Sequence, residues 1–350
     1  MRLTAFFHPL ARIATVTMLA ALSLAGCGGT TPARPDAGTQ PALSSSAPPV
    51  RIGIALGGGA AKGFAHIGVI KMLEANGFAP AVVSGTSAGS VVGALYASGM
   101  NAFEMQEKAV ALDEAKIRDL QLSSGGLVLG QKLEDYVNEQ VRRKPLEQMA
   151  KPFVVVATRL EDGERTVFAR GNTGQAVRAS SSVPGVFQPV TIGKYHFVDG
   201  GIVSPVPVDA ARQLGADIVI AVDISNKARG QTPGDMLGTL GQSIAIMGQK
   251  LGQAELARAD VIIRPQVLDI GSADFSQRTN AILEGEKAAL AVMPQIRERV
   301  AQLQAERANA ARAAQQKAAE AQYQTCLEKR SSLQKLAGMA RLDDSCTAPK

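Results

Sequence analysis

Short apolar runs alternate with amphipathic segments from residue 50 to about residue 265 of the chain. The apolar runs end at glycine, proline or a charged residue, a pattern typical of buried strands. In the segments between them, apolar residues recur at the spacing of one helix face. This alternation predicts an α/β domain of three layers, α/β/α. The predicted strands are VRIGIAL (50–56), AVVSG (81–85), KPFVVVATRL (151–160), RTVFAR (165–170), two short strands within VTIGKYHFVDGG (190–201), DIVIAVDI (217–224) and DVIIRP (260–265).

Helical spacing follows the first two strands, in FAHIGVIKMLEANG and between Ser87 and Ser98. It returns in GQAVRASSSVPGVF, where Pro184 ends the helix, and in VPVDAARQLGA. Residues 101–150 also look helical, with a break at SSGGLVLG. The α/β domain is therefore predicted over residues 50–278.

Residues 279–350 read as a helical C-terminal extension, because the stretch to about 340 is rich in Ala, Gln, Glu and Arg. We favour a surface helix here over a dedicated partner-binding element. The extension carries Cys326 and Cys346, which either pair in an oxidising compartment or are two free thiols. We favour the disulfide, as a structural link.

The N-terminus has the form of a secretory signal, with a basic start, the uncharged apolar stretch IATVTMLAALSLAG and then Cys27. LAGC resembles the lipobox of bacterial lipoproteins, which implies cleavage after residue 26 and lipid attachment to Cys27. The alternative is an ordinary signal peptide with a chance cysteine. Residues 27–49 contain mostly Gly, Pro, Ser, Thr and Ala and predict a disordered tether. We expect a lipid-anchored protein of the bacterial cell envelope that faces the periplasm; Gly28 slightly favours the outer membrane.

Composition excludes some functions. The chain is 46% hydrophobic and 19% charged, which suffices for a buried core. Its formal net charge of +6 is not gathered into a dense Lys/Arg cluster, so we expect no nucleic-acid partner. Aromatic residues make up 4% and tryptophan is absent, which disfavours surfaces that stack on sugars or bases.

The sequence GTSAG places Ser87 between a predicted strand and a predicted helix. In that context G-x-S-x-G forms a nucleophile elbow, in which small neighbours leave the serine hydroxyl exposed near a helix N-terminus. The alternative is a plain Gly/Ser turn. A serine needs a base, and His8 falls in the signal segment, which leaves His66 and His196. Because side chains alternate along a strand, His196 and Asp199 lie on opposite faces. A Ser87–Asp199 dyad is therefore the simpler hypothesis, although Asp199 could also be only a turn residue.

The glycines of LGGGAAKG follow the first strand and could direct N–H groups at a developing oxyanion. A nucleotide-binding loop is the alternative. It fails because Lys62 is followed by glycine, where the Walker motif requires Ser or Thr, and because Lys62 occupies the last glycine position of the dinucleotide motif.

GGGAAKG, GTSAG and DGG, in this order, resemble the patatin-like phospholipase family, as do RASSSVPGVFQPV and DGGIVSPVPVDAARQLGAD. The resemblance covers about residues 50–265. It implies a mixed central sheet, no metal or cofactor, and hydrolysis of lipid acyl esters by a Ser–Asp dyad. By position it makes Ser87 the nucleophile and Asp199 the base. Gly57, Gly58 and Gly59 become the oxyanion loop and Lys62 its basic residue, which would face a lipid phosphate or brace the loop.

The resemblance thus predicts a phospholipase A or lysophospholipase type of esterase, with a lipid substrate and a membrane surface as its partners. Two alternatives stay open: a thioesterase or general carboxylesterase with the same dyad, and a non-catalytic envelope scaffold lipoprotein. One departure is Ser204, because relatives often carry asparagine near this position. It puts local hydrogen bonding in question rather than the dyad.

Overall fold

The computed structural model describes residues 48–117, 119–123, 126–225 and 234–337, together with Cys346 and Ala348. The predicted signal peptide, Cys27 and nearly all of the predicted tether lie outside the described residues. None of the described helices combines the length and the apolar character that crossing a bilayer requires.

The described residues form ten strands and eight α-helices. The strands are β1 (Ile52–Leu56), β2 (Val82–Thr86), β3 (Leu120–Ser123), β4 (Gly126–Val128), β5 (Phe153–Arg159), β6 (Arg165–Phe168), β7 (Val190–Ile192), β8 (Tyr195–Asp199), β9 (Ile218–Val222) and β10 (Val261–Ile263). The helices are α1 (Ala65–Ala75), α2 (Ala88–Ala97), α3 (Ala102–Val110), α4 (Gln131–Gln140), α5 (Thr173–Ser180), α6 (Val208–Gln213), α7 (Met236–Leu256) and α8 (Arg278–Ala337).

Eight of the strands form one mixed sheet, with the order β10-β9-β1-β2-β5-β8-β7 and with β6 paired to β5. Pairing is parallel from β10 to β5 and antiparallel among β5, β6, β7 and β8. Side chains alternate across the sheet. Ile54 and Leu56 pack in the cluster that includes α1, α2 and α8, whereas Ala55 and Val82 pack against α6. The predicted three-layer fold with a mixed sheet is confirmed.

Strand β5 is longer than its neighbours, and two strands share one of its edges. Thr86 of β2 pairs with Val156, and Asp199 of β8 pairs with Ala157. The other edge pairs with β6 over the same residues. Because β2 runs parallel to β5 and β8 antiparallel, the two strands approach each other end to end. Their last residues therefore meet beside consecutive residues of β5.

Three features differ from the sequence-based expectation. The break predicted within residues 101–150 contains a two-stranded antiparallel sheet of β3 and β4. Helix α7 was not predicted. The helix predicted from residue 279 begins inside the domain, because Ala281, Ala289 and Ile296 of α8 are buried in the main hydrophobic cluster. Further along, a disulfide joins Cys326 of α8 to Cys346.

Candidate active site

Ser87 lies in a sharp turn between β2 and α2, with φ 53° and ψ −124°. A residue other than glycine is strained at such a positive φ. The flanking glycines are required by close contacts. A Cβ on Gly85 would lie 2.6 Å from the carbonyl oxygen of Gly89, and a Cβ on Gly89 would lie 2.1 Å from that of Leu56. The strand, the turn and the helix therefore have the geometry of a nucleophile elbow.

The hydroxyl of Ser87 donates a hydrogen bond to Oδ2 of Asp199, with 2.6 Å between the oxygens. The N–H of Gly201 donates to Oδ1 of Asp199 at 2.7 Å. Ser87 is 8% exposed and Asp199 is 7% exposed. Burial raises the pKa of Asp199 to about 6, and the hydrogen bonds from Ser87 and Gly201 oppose this rise. The structure thus brings the two predicted dyad residues together, with a carboxylate that titrates close to neutral pH.

Hydrogen bonds between neighbouring side chains and the backbone hold both Ser87 and Asp199 in place. The N–H of Ser87 donates to Oγ of Ser180 at 2.8 Å, and Ser180 in turn donates to the carbonyl of Val156. The carbonyl of Asp199 accepts from Oγ1 of Thr158 at 2.8 Å. Three residues of β5 and α5 thus fix the ends of β2 and β8.

The glycine loop lies against the serine, since a Cβ on Gly58 would be 3.2 Å from Cβ of Ser87. The N–H groups of Gly57 and Gly58 donate to the carbonyls of Val222 and Pro205, at 3.1 and 3.0 Å. Among the described residues, Gly59 is the one of the three predicted oxyanion donors whose N–H has no such acceptor. Of the predicted oxyanion donors, Gly59 therefore fits best. The N-terminus of α2, whose N-cap is Ser87, is a further candidate that the structure adds.

Lys62 is 1% exposed. Its side chain is inside the protein and does not reach the surface, where a lipid phosphate would bind. Of the two uses that the sequence left open for this residue, the position fits bracing the loop.

Neither described histidine contacts Ser87 or Asp199 by a hydrogen bond. His66 is buried and its Nε2–H donates to the carbonyl of Gly57 at 2.8 Å, and burial lowers its pKa to about 4. It is therefore a neutral residue that supports the glycine loop. His196 is exposed, and its Nδ1 lies 2.7 Å from Oε1 of Glu161. As expected from the alternation along β8, it faces away from Asp199.

A buried carboxylate organises the segment that follows Asp199. Glu255 of α7 accepts hydrogen bonds from the hydroxyl of Ser204 and, at 2.8 Å, from the N–H of Val206. Between them, the carbonyl of Pro205 receives the N–H of Gly58. Burial raises the pKa of Glu255 to about 7. Ser204, the departure noted in the sequence, therefore has a partner within the protein.

Sequence reasoning missed Ser180, Thr158 and Glu255, which position the site. The run Ser180–Ser182 was visible, but nothing in it indicated which serine bonds to the elbow. In the described part of the chain, no group of three His, Cys, Asp or Glu side chains is arranged to hold a metal ion. Chemically, the site offers a hydroxyl, a base in contact with it and a nearby backbone N–H donor. This is the set that acyl transfer through a covalent intermediate requires.

Part of the chain is similar to proteins of a known family. The family model described as patatin-like phospholipase matches residues 54–212. An uncharacterized NTE family protein of Mycobacterium tuberculosis is 35% identical over 188 residues, which cover 53% of this chain and 52% of that protein. The human patatin-like phospholipase domain-containing protein 6 is 32% identical over 184 residues, 50% of this chain and 13% of the relative. The matched segment thus covers about half the length of the mycobacterial relative and a much smaller share of the human relative.

Among solved structures, VipD from Legionella pneumophila matches with a TM-score of 0.41 and 16% identity. That alignment covers 71% of this chain and 67% of VipD.

Proposed function

We propose that this chain, whose residues 54–212 match the family model described as patatin-like phospholipase, is a lipid acyl hydrolase that uses Ser87 and Asp199. The observation that carries the proposal is the 2.6 Å hydrogen bond between the Ser87 hydroxyl and the Asp199 carboxylate. No other acidic or basic side chain in the described residues bonds to that hydroxyl, so Asp199 is the base that the site provides.

In the proposed reaction, Oγ of Ser87 forms a bond to the acyl carbonyl carbon while its proton moves to Oδ2 of Asp199. The N–H of Gly59 and the N-terminus of α2 stabilise the negative carbonyl oxygen. The ester C–O bond then breaks, and the leaving alcohol takes the proton from Asp199. Water next transfers a proton to Asp199 and attacks the acyl-serine. The fatty acid leaves, and the proton returns to Ser87.

The proposed substrates are phospholipids or lysophospholipids, and the proposed location is the bacterial cell envelope. The name of the matching family supports the substrate class. The lipobox-like LAGC sequence supports a lipid anchor at Cys27 that would hold the domain at the periplasmic face of a membrane, with the outer membrane favoured.

A fluorophosphonate probe tests the proposed chemistry. We expect the probe to label the full-length chain at Ser87, as located by mass spectrometry of its peptides, and we expect the Ser87→Ala chain to stay unlabelled and to lose ester hydrolysis. Wild-type protein that takes up no probe would contradict the proposal and favour a non-catalytic scaffold. Rates on phospholipid, lysophospholipid and acyl thioester would then separate a lipase from a thioesterase.

A further inference from the structure

Helix α7 has an unusually apolar exposed face. Its large apolar residues Leu240, Ile246, Met247 and Leu251 are 39%, 47%, 47% and 39% exposed. At 100° per residue, Leu240, Met247 and Leu251 lie within about 40° of one another around the helix. Single exposed apolar residues are ordinary, but a cluster of them on one helix marks an interaction surface. We name Leu240, Met247 and Leu251 the α7 face, because Ile246 lies about 100° or more from them around the helix.

Electrostatics narrow the kind of partner. Between Gly238 and Gln249 the helix has no charged residue. Further along, Lys250 is exposed, whereas Glu255 is turned inward to Ser204 and Val206. The exposed side of the helix thus carries no carboxylate that would repel an anionic membrane surface, and Lys250 would attract its headgroups.

The α7 face adjoins the candidate dyad. A Cβ on Gly248 would lie 3.7 Å from the carbonyl oxygen of Gly201, whose N–H donates to Asp199. Met247 therefore neighbours the helix position that contacts the turn after the base. On another segment, Val186 is 43% exposed and belongs to the turn that follows Ser182, whose carbonyl accepts the N–H of Asp199. Exposed apolar side chains thus lie on two segments that adjoin Asp199.

We propose that the α7 face docks the protein on a lipid bilayer and so delivers the lipid ester to Ser87. The inference rests on the proposed function for its lipid substrate. The nucleophile is nearly buried, so an acyl ester must leave the bilayer to reach it. A docking helix directly beside the dyad would shorten that path and keep the ester out of bulk water.

Site-specific fluorescence tests the contact independently of catalysis. A polarity-sensitive fluorophore is attached at Met247→Cys in the full-length chain that also carries Cys27→Ala and Ser87→Ala. Only the introduced cysteine then offers a free thiol, and the vesicles are not hydrolysed. On vesicles of phosphatidylcholine and phosphatidylglycerol with brominated acyl chains, we expect a blue shift and quenching. The matched control, Leu290→Cys on α8, is also exposed and apolar and is expected to show neither effect.

An unquenched probe at position 247, or equal quenching at positions 247 and 290, would overturn the inference. It would also be overturned if Met247→Ser converted a dimer into a monomer in sedimentation, because the α7 face would then bind a second copy.

Kinetics supply a second readout. In the Met247→Ser/Leu251→Ser chain, we expect the ratio of vesicle hydrolysis to soluble-ester hydrolysis to fall about tenfold, because less apolar area inserts into the bilayer. The control chain Leu283→Ser/Leu290→Ser should keep the wild-type ratio, and an equal fall in both chains would contradict the inference. If the wild-type protein hydrolyses neither substrate, the proposed function fails, while the fluorescence experiment still decides whether α7 meets the bilayer.

Discussion

The hydroxyl of Ser87 and the carboxylate of Asp199 are joined by a 2.6 Å hydrogen bond across a separation of 112 residues. Gly201 holds the second carboxylate oxygen, so the oxygen that faces Ser87 has a fixed orientation. In the proposed mechanism, Asp199 therefore acts on Ser87 without an imidazole between them, and its ionisation controls the reaction.

Replacing Asp199 by Asn tests the base. The amide preserves the size of the side chain but does not accept the serine proton, so we expect kcat/KM on a soluble ester to fall roughly a thousandfold. His196→Ala is the matched control, since this residue on the same strand bonds to Glu161, and it should stay within about twofold of wild type. If the two variants are equally active, Asp199 is not the base.

The same variant should not be less stable at neutral pH. The folded-state pKa of Asp199, about 6, lies above its ordinary value of 3.8, so the folded protein binds this proton more tightly than the unfolded chain does. Stability that is fully present below about pH 4 is then lost as pH rises through 6. Asp199→Asn removes this loss, by up to about 3 kcal/mol at pH 7. Urea unfolding would measure the gain, and a clear loss would argue that the charge is stabilised in the fold.

Activity should depend on pH through the same group. Because Asp199 accepts a proton only when ionised, kcat/KM on a soluble ester should rise between about pH 5 and pH 7 and then level off. His66 titrates too low to produce this rise, with a pKa of about 4. A His66→Gln chain should therefore keep a midpoint near pH 6, and a midpoint that moves with this substitution would assign the rise to the histidine.

Glu255 should contribute to both stability and rate. Glu255→Leu removes the acceptor of both the Ser204 hydroxyl and the Val206 N–H, and an unmet buried donor costs about 1–3 kcal/mol. Because Pro205 between them holds Gly58, we expect kcat to fall as well. Urea unfolding and soluble-ester kinetics would measure the two effects. The control Glu284→Leu breaks a surface pair with Lys287 and should cost less than about 1 kcal/mol. Equal stability of the two variants would contradict this role.

Gly89→Ala should destabilise the elbow. Its Cβ would lie 2.1 Å from the carbonyl oxygen of Leu56, and relief of that contact requires movement of β1 or α2. We expect a loss of about 3 kcal/mol or more in the free energy of unfolding. Gly241→Ala in α7 meets no atom within 4 Å and should instead stabilise the protein by up to about 1 kcal/mol. Thermal melts of both variants provide the measurement, and a melting temperature for Gly89→Ala at the wild-type value would refute the steric argument.

Local sequence patterns were sufficient to predict much of the fold and the two residues that meet at the candidate site. Apolar runs marked the strands of the main sheet, and GTSAG and DGG marked Ser87 and Asp199, because each feature is written in adjacent residues. Helix α7 escaped because Gly238, Gly241, Gly248 and Gly252 lower its helix propensity.

The partners of the site residues could not be predicted. The N–H of Gly58 donates to Pro205, and Glu255 accepts from Ser204, so each bond joins segments far apart in the chain. No local pattern shows which carbonyl will accept a hydrogen bond from a loop N–H. Gly57 and Gly58 were therefore predicted as oxyanion donors, although their N–H groups donate to carbonyls within the fold. Such bonds depend on the assembled sheet.

The end-to-end arrangement of β2 and β8 along β5 makes the serine–aspartate distance depend on backbone length. One residue inserted between Val156 and Ala157 would shift β8 by about 3.3 Å and reverse the facing of the side chains beyond it. Substitutions on this strand can be absorbed by repacking, but a change in its length cannot. Insertions and deletions compatible with the dyad would instead be confined to turns such as Asp162–Gly163, and alignments of active homologues should show an ungapped block here.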